Sequence, residues 1–352
     1  MKSAPPPGQR GEASDEVWGA HPVDAYSEQP HQGSEAWQQL GVPLYPGGMR
    51  VLITGVTGFI GRALAVALTA AGHEVVGLSR DPQRARASVP QLARAYGWPN
   101  PTSLPPESLR GVAAVVHLMG ESVTGRWTRS KKRRIRDTRV LSSVALVDAI
   151  RESNERPKVL VSGSAIGYYG DRGEDSLDEK EPGGSDFLAS VGRDWEAAAG
   201  GAEELGVRVV RFRTGIVLGP GGGFLSAMLP LFKMGLGGPL GSGRQWLPWV
   251  HMRDVVGLIR YAIEHDSVSG PLNGTSPNPV RQREFAKALG KVLRRPALFP
   301  APAFLLKLVL GEFSTEVLTS KRVLPAIAEA AGYAFAFPQL EPALRNALGR
   351  PE

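Results

Sequence analysis

A short apolar strand that runs into glycines spaced three apart, and then into a helix, constrains this chain more than any other stretch. Val51 to Ile60 reads Val-Leu-Ile-Thr-Gly-Val-Thr-Gly-Phe-Ile, and Gly61-Arg62-Ala63-Leu64 follows directly. A doubly wound α/β domain begins its dinucleotide site in this way. Gly55 lets the chain turn off the strand, Gly58 lets backbone approach a pyrophosphate, and Gly61 lets the new helix pack closely on the sheet. The first turn of that helix, with Thr57, Phe59 and Ile60 at its mouth, then aims free N–H groups and a positive dipole end at the phosphates. A tight β-to-α turn uses glycine even where nothing binds. Here a second strand downstream agrees with the first, and dinucleotide binding is the expectation.

With 352 residues the chain is long enough for one large domain or two smaller ones, and 42% hydrophobic residues supply an ordinary soluble core. It has no cysteine, which excludes disulfides, thiolate metal sites and a cysteine nucleophile. No apolar run reaches the length of a membrane span, and the N-terminus lacks a signal-peptide pattern. No histidine–carboxylate spacing suggests a metal, so none is expected. A cytoplasmic protein with no membrane partner is the default reading. The net charge of +7 is unevenly spread, because residues 1–48 hold six carboxylates against Lys2 and Arg10. The basic body suits phosphorylated ligands and requires nucleic acid to be weighed.

Residues 1–48 are rich in Pro, Gly, Ser, Glu and Gln without a sustained period, and read as a disordered leader. Met49 looks like an alternative start. From there strand and helix alternate: strands at 50–54, 74–78, 112–118, 158–162 and 207–211, with helices near 62–71, 130–152 and 187–205. That order implies a parallel sheet with right-handed crossovers, a Rossmann domain over 49–218. A substrate-side segment, 219–294, is interleaved with the sheet, since 271–274 still reads as a strand end. A helical extension over 295–350 completes a smaller C-terminal lobe, with helices near 303–310, 316–327 and 340–348.

Beyond the glycine turn, Leu118-Met119-Gly120-Glu121, Arg126-Trp127, Arg136-Asp137-Thr138-Arg139 and Ser162-Gly-Ser-Ala-Ile-Gly-Tyr-Tyr-Gly170 stand out. So do Phe187-Leu-Ala-Ser190, Arg193-Asp194-Trp195-Glu196, Gly237-Gly-Pro-Leu-Gly-Ser-Gly243 and Trp249-Val-His251. In combination, over about residues 49–350, they resemble the extended and atypical short-chain dehydrogenase/reductases of sugar-nucleotide epimerase type. The likeness is to the subgroup labelled "epimerase family protein", with its C-terminal extension. The resemblance implies NADP binding, hydride transfer on a small polar substrate, and a monomer or homodimer. A non-catalytic NADP(H)-binding protein, redox-sensing or associated with cell division, is the rival.

The end of the second strand carries Ser79-Arg80 where an NAD site normally sets a carboxylate on the ribose hydroxyls. A guanidinium offers fork-shaped, charge-assisted donors to a 2′-phosphate, so NADP(H) is the expected cofactor. Leu118 and Met119 end a buried strand and would border the ribose through backbone. Glu121 follows at the sheet's carboxyl edge as acid, base or ribose anchor. The resemblance adds Arg139 and Ile216 as cofactor contacts and sets Gln245, Trp249 and His251 where epimerases hold substrate. Trp249 and His251 read equally well as a strand edge, with His251 satisfied by Asp254. The run from Arg126 to Arg139 is dense in Arg and Lys, but with no aromatic interleaved beyond Trp127 it reads as a solvated face and not as a specific nucleic-acid surface.

Catalysis departs from the family pattern. Ser164 matches the serine that binds the reacting oxygen. The Tyr-x-x-x-Lys element is absent: none of the seven tyrosines has a lysine four residues on. Phe187 and Val191 stand approximately where that pair belongs. Tyr168 or Tyr169 can substitute, with Arg193 supplying positive charge, or can simply pack its ring.

Overall fold

The residues of β1, Arg50–Thr54, alternate between two cores. Val51 and Ile53 join Leu64 and Leu68 on one side, while Leu52 joins Val115, Leu146 and Ile150 on the other. That division is what a strand buried on both faces requires. The computed structural model describes residues 47–350. The leader expected over 1–48 therefore lies, but for its last two residues, outside them.

After β1 come α1 (Phe59–Ala70), β2 (Glu74–Ser79), α2 (Pro82–Ser88), β3 (Arg94–Gly97), β4 (Ala114–His117), α3 (Arg129–Glu152) and β5 (Val159–Ala165). Then follow β6 (Ser176–Leu177), α4 (Phe187–Gly200) and β7 (Arg208–Thr214). The chain continues through β8 (Ile216–Leu218), α5 (Gly223–Lys233), β9 (Trp246–Leu247), β10 (Trp249–His251), α6 (Met252–Glu264) and β11 (Gly270–Gly274). It ends with β12 (Val280–Arg281), α7 (Gln282–Leu293), α8 (Ala303–Leu310), α9 (Ser314–Leu318), β13 (Arg322–Val323), α10 (Ala326–Ala330) and α11 (Leu340–Ala347). The main sheet has seven strands in the order β3-β2-β1-β4-β5-β7-β11, and every neighbouring pair is parallel. The strand order reverses between β1 and β4, and the carboxyl ends there open the crevice in which such folds bind ligands.

A buried histidine fixes that crevice. His117 on β4 is fully buried, with Nδ1 2.8 Å from Thr54 Oγ1 and Nε2 3.0 Å from Ser142 Oγ. Burial pushes its pKa down to about 4, so the ring is neutral. Thr54 Oγ1 in turn accepts from the backbone N–H groups of Leu118 and Met119. The exit of β4 is thus held by β1 and α3 together.

The smaller lobe packs β8, β10, α5, α7 and α11 around Leu225, Phe232, Trp249, Phe285 and Leu344. β11 leaves it to close the main sheet, so the two parts interleave. Three expectations need correction. The helix expected over 316–327 is two short helices with β13 between them. There the chain leaves the helix at Thr319 in extended conformation, Ser320 reaches Asp171 and Gly173, β13 pairs with β6, and Pro325 caps the start of α10. The helix expected to run to Leu205 stops at Gly200, where Gly200-Gly201 breaks it. β3 was not expected: it is a four-residue edge strand without a buried residue. Among the described residues no helix is long and apolar enough to cross a membrane, and no group of three or more His, Cys, Asp or Glu residues could hold a metal.

Candidate functional site

At the β1/β4 switch a groove of about 250 Å³ is lined by Gly55, Thr57, Gly58, Ser79, Arg80, Leu118, Met119 and Glu121, eight residues singled out in the sequence. Gly55 has φ +66°, and a Cβ there would lie 3.0 Å from the Leu118 carbonyl oxygen. A Cβ on Gly61 would lie 2.3 Å from the Gly55 carbonyl oxygen, so helix and turn can meet only with glycine at both places. Gly58 caps α1 without a side-chain hydrogen bond. The first N–H groups of α1 are therefore available at the groove floor. Phe59 packs its ring against Gly219, Gly222 and Gly223, and Ile60 packs on the core beside α1. A larger hollow of about 320 Å³ lies between the 102–106 segment and the C-terminal half of α3, beside Thr102, Asp148 and Glu152, and shares no lining residue with the groove.

Four further residues line the groove: Leu78, Gly120 and Thr138 lie in stretches noted in the sequence but not assigned to the site, and Trp98 lies outside them all. Trp98 is 2% exposed and tilts toward His117 with ring centres 6.1 Å apart. Thr138 Oγ1 accepts from the Glu121 backbone N–H at 2.9 Å. Trp98 carried no signal beyond residue type, and Thr138, though in the Arg136–Arg139 motif, was not assigned to the groove, because the facing of both depends on tertiary packing.

Arg139 lies behind the groove wall. It donates to the carbonyls of Glu121 and Ile135, both at 2.9 Å, and its guanidinium sits over the Trp195 ring. Burial lowers its pKa to about 10, partly offset by Glu121, so it stays charged near neutrality. The Glu121 carboxylate faces Lys131 Nζ at 2.8 Å. Ile216 lies on β8 against the core of the smaller lobe.

Three neighbouring strands place Ser164, Arg213 and Asn273 in register. The Ser164 hydroxyl donates to Glu196 Oε1 at 2.6 Å, and Arg213 grips Glu196 through Nε at 2.8 Å and a terminal nitrogen at 2.9 Å. Arg213 also donates to the Tyr169 hydroxyl, which lies 2.7 Å from Asn273 Oδ1. Tyr169 is fully buried, and burial raises its pKa to about 12. Its phenol is committed to this network. Tyr168 stacks under the Arg213 guanidinium at 3.7 Å, and its hydroxyl makes no hydrogen bond among the described residues. Arg193 donates to the Gly184 carbonyl at the surface. Phe187 meets the Trp127 ring edge-on, and Val191 is buried, so the two residues expected near the place of the family's proton-transfer pair are apolar.

The remaining expected residues have internal partners. Gln245 donates to the carbonyls of Leu240 and Val317, and Trp249 donates to that of Asn278. His251 accepts from the Arg253 N–H and lies against Phe337, and burial pushes its pKa down to about 3. Gln245 is 7% exposed and the other two no more than 1%. None of the three lines the groove. Asp254 does not satisfy His251: its oxygens take the N–H groups of Ala336 and Phe337.

A reversed parallel sheet with a glycine cradle at its switch point and a serine at the carboxyl end of β5 defines a dinucleotide-binding protein of the short-chain reductase kind. Residues 51–273 match the NAD dependent epimerase/dehydratase family, and residues 301–347 match a domain of unknown function, DUF1731. The chain belongs to that epimerase/dehydratase family. It is 42% identical over 306 residues to the Arabidopsis thaliana "Epimerase family protein SDR39U1 homolog, chloroplastic", covering 84% of this chain and 86% of that one. It is 36% identical to the Bacillus subtilis epimerase family protein YfhF, covering 84% and 97%. The crystal structure of human epimerase family protein SDR39U1 with NADPH superposes with a TM-score of 0.77 at 35% identity, covering 86% and 99%.

Proposed function

We propose that this protein is an NADP(H)-dependent oxidoreductase, a cytoplasmic monomer or homodimer, that moves a hydride to or from a small polar substrate held before Ser164. The observation that carries the cofactor assignment is Arg80 in the groove wall just after β2, where an NAD site sets its carboxylate; the following Asp81 caps α2 by accepting from the Arg84 N–H. The bare backbone of Gly55 and Gly58 and the uncapped start of α1 fit a pyrophosphate. The human relative solved with NADPH supports the same choice. The bound nicotinamide supplies or takes the hydride.

The chain's own groups do the rest. With its proton directed at Glu196, Ser164 offers lone pairs and accepts from a substrate hydroxyl. Tyr168 is the phenol left to move a proton, held under Arg213 while Tyr169 is locked inside. Glu121 is held by Lys131 and anchors rather than exchanges.

A non-catalytic redox sensor is the second reading, favoured by Phe187 and Val191 near the place of the proton-transfer pair. Incubating the protein with NADPH and a panel of sugar nucleotides and simple carbonyl compounds separates the two. NADPH consumption with a defined product supports the enzyme. Tight NADPH binding without turnover of any compound supports the sensor.

A further inference from the structure

Among the described residues, nine of the eleven exposed large hydrophobic side chains gather on one face. Six are Leu298, Phe299, Phe304, Leu305, Leu308 and Val309, on α8 and the segment leading into it. Phe304 is 73% and Leu308 67% exposed, and α8, an almost wholly apolar helix, buries none of its residues. Apolar helices of this kind are ordinarily found inside a protein or against an apolar partner. Leu231, Met234 and Leu236, at the end of α5 and just beyond, extend the patch. The two strips are stitched together where Phe299 N–H donates to Gly237 and Ala301 N–H to Pro239. Soluble monomers rarely leave so contiguous an apolar surface uncovered.

The two segments that carry the patch hold charge of one sign, and the carboxylate that follows α8, Glu312, is paired with Lys132. The segments 229–243 and 294–311 carry Lys233, Arg294, Arg295 and Lys307, all exposed, and neither contains Asp or Glu. We propose that this apolar, cationic face docks on an anionic lipid bilayer surface. An interfacial helix inserts its apolar side chains at the headgroup boundary, while Lys and Arg reach out to anionic headgroups. Lys307, in the middle of α8, fits that arrangement because its stem lies along apolar surface with the ammonium at the phosphates. A second copy of the chain fits worse: an isologous contact would set these cations against their own images with no carboxylate between them. The absence of a spanning segment led to the expectation of no membrane partner. A helix lying in the surface plane needs no span. The proposal is independent of the reaction.

The test is flotation of the full chain with vesicles of phosphatidylcholine alone and of phosphatidylcholine with about one-third phosphatidylglycerol. The protein should float with the anionic vesicles, far less with the neutral ones, and fall away as salt rises. The double variant Phe304→Ser/Leu308→Ser alters only exposed side chains, so its melting temperature should hold. Its partition should drop by at least roughly tenfold. Arg294→Glu/Arg295→Glu should weaken binding by about fivefold or more per site. No flotation of the wild type overturns the proposal, as does flotation that the Phe304/Leu308 variant leaves unchanged. So does a concentration-dependent dimer, seen by light scattering without flotation and dissolved by that variant.

Discussion

Ser164 donates its hydroxyl proton to Glu196 Oε1 across 2.6 Å, and Glu196 is held at the same time by Nε and one terminal nitrogen of Arg213. If Ser164 meets substrate as proposed, it does so oriented by this ion pair, with the Tyr-x-x-x-Lys element missing. Whatever turnover the protein shows should depend on it. Ser164→Ala is expected to lower the rate by about 10²-fold or more, and Tyr168→Phe by about 10²–10⁴-fold. Tyr169→Phe should instead lower stability, because it strips partners from buried Arg213 and Asn273. The check is NADPH-linked kinetics beside a melting curve for each variant.

The pairing of Glu196 with Arg213 is buried on both sides, with side-chain exposures of 9% and 4%. Removing one partner leaves the other charge uncompensated in the interior. Glu196→Ala should cost about 3–5 kcal/mol in urea unfolding. Glu196→Gln keeps an acceptor for Ser164 and should cost less.

His117 makes stability fall in acid. Its folded pKa, about 4, lies below the unfolded value of about 6.5, so the unfolded chain takes up the proton first. Stability present above pH ~6.5 is lost as pH falls toward about 4, and the full effect is about 3 kcal/mol. Asp254, raised to about 6 by burial, pulls the opposite way over part of that range. Comparing the pH dependence of melting for wild type and His117→Asn isolates the histidine: the variant should be less stable at neutrality and lose less on acidification.

The basic stretch of α3 should not make the protein a specific nucleic-acid binder. Lys131, Lys132 and Arg136 already pair with Glu121, Glu312 and Asp194. Duplex DNA should bind weakly at low salt and be released at physiological ionic strength. Tight binding to one sequence at that salt would contradict this.

The cofactor side of the site was legible because it is local. Gly55, Gly58 and Gly61 mark one turn, and Arg80 and Leu118 mark strand ends that the hydrophobic pattern already placed. Glu196, Arg213 and Asn273 were not legible as a unit. They lie on one helix and two strands, and only the register of β5, β7 and β11 brings them together. Trp249 and His251 were read as candidate pocket wall because aromatic and imidazole side chains suit a pocket as well as a core. The packing of β10 under Phe337 and Asn278 puts them inside. Length and composition hid the break after Leu318, since a strand of two residues has no period to read.

The central claim is an NADP(H) site built around Arg80, and equilibrium titration of NADPH and NADH against wild type and Arg80→Ala tests it most directly. Wild type should prefer NADPH. The variant should lose roughly 1.5–3 kcal/mol of NADPH affinity, the range for a hydrogen bond to a charged group, while NADH binding changes little. Equal affinity of the wild type for both cofactors, or an equal loss of both in the variant, would contradict the account.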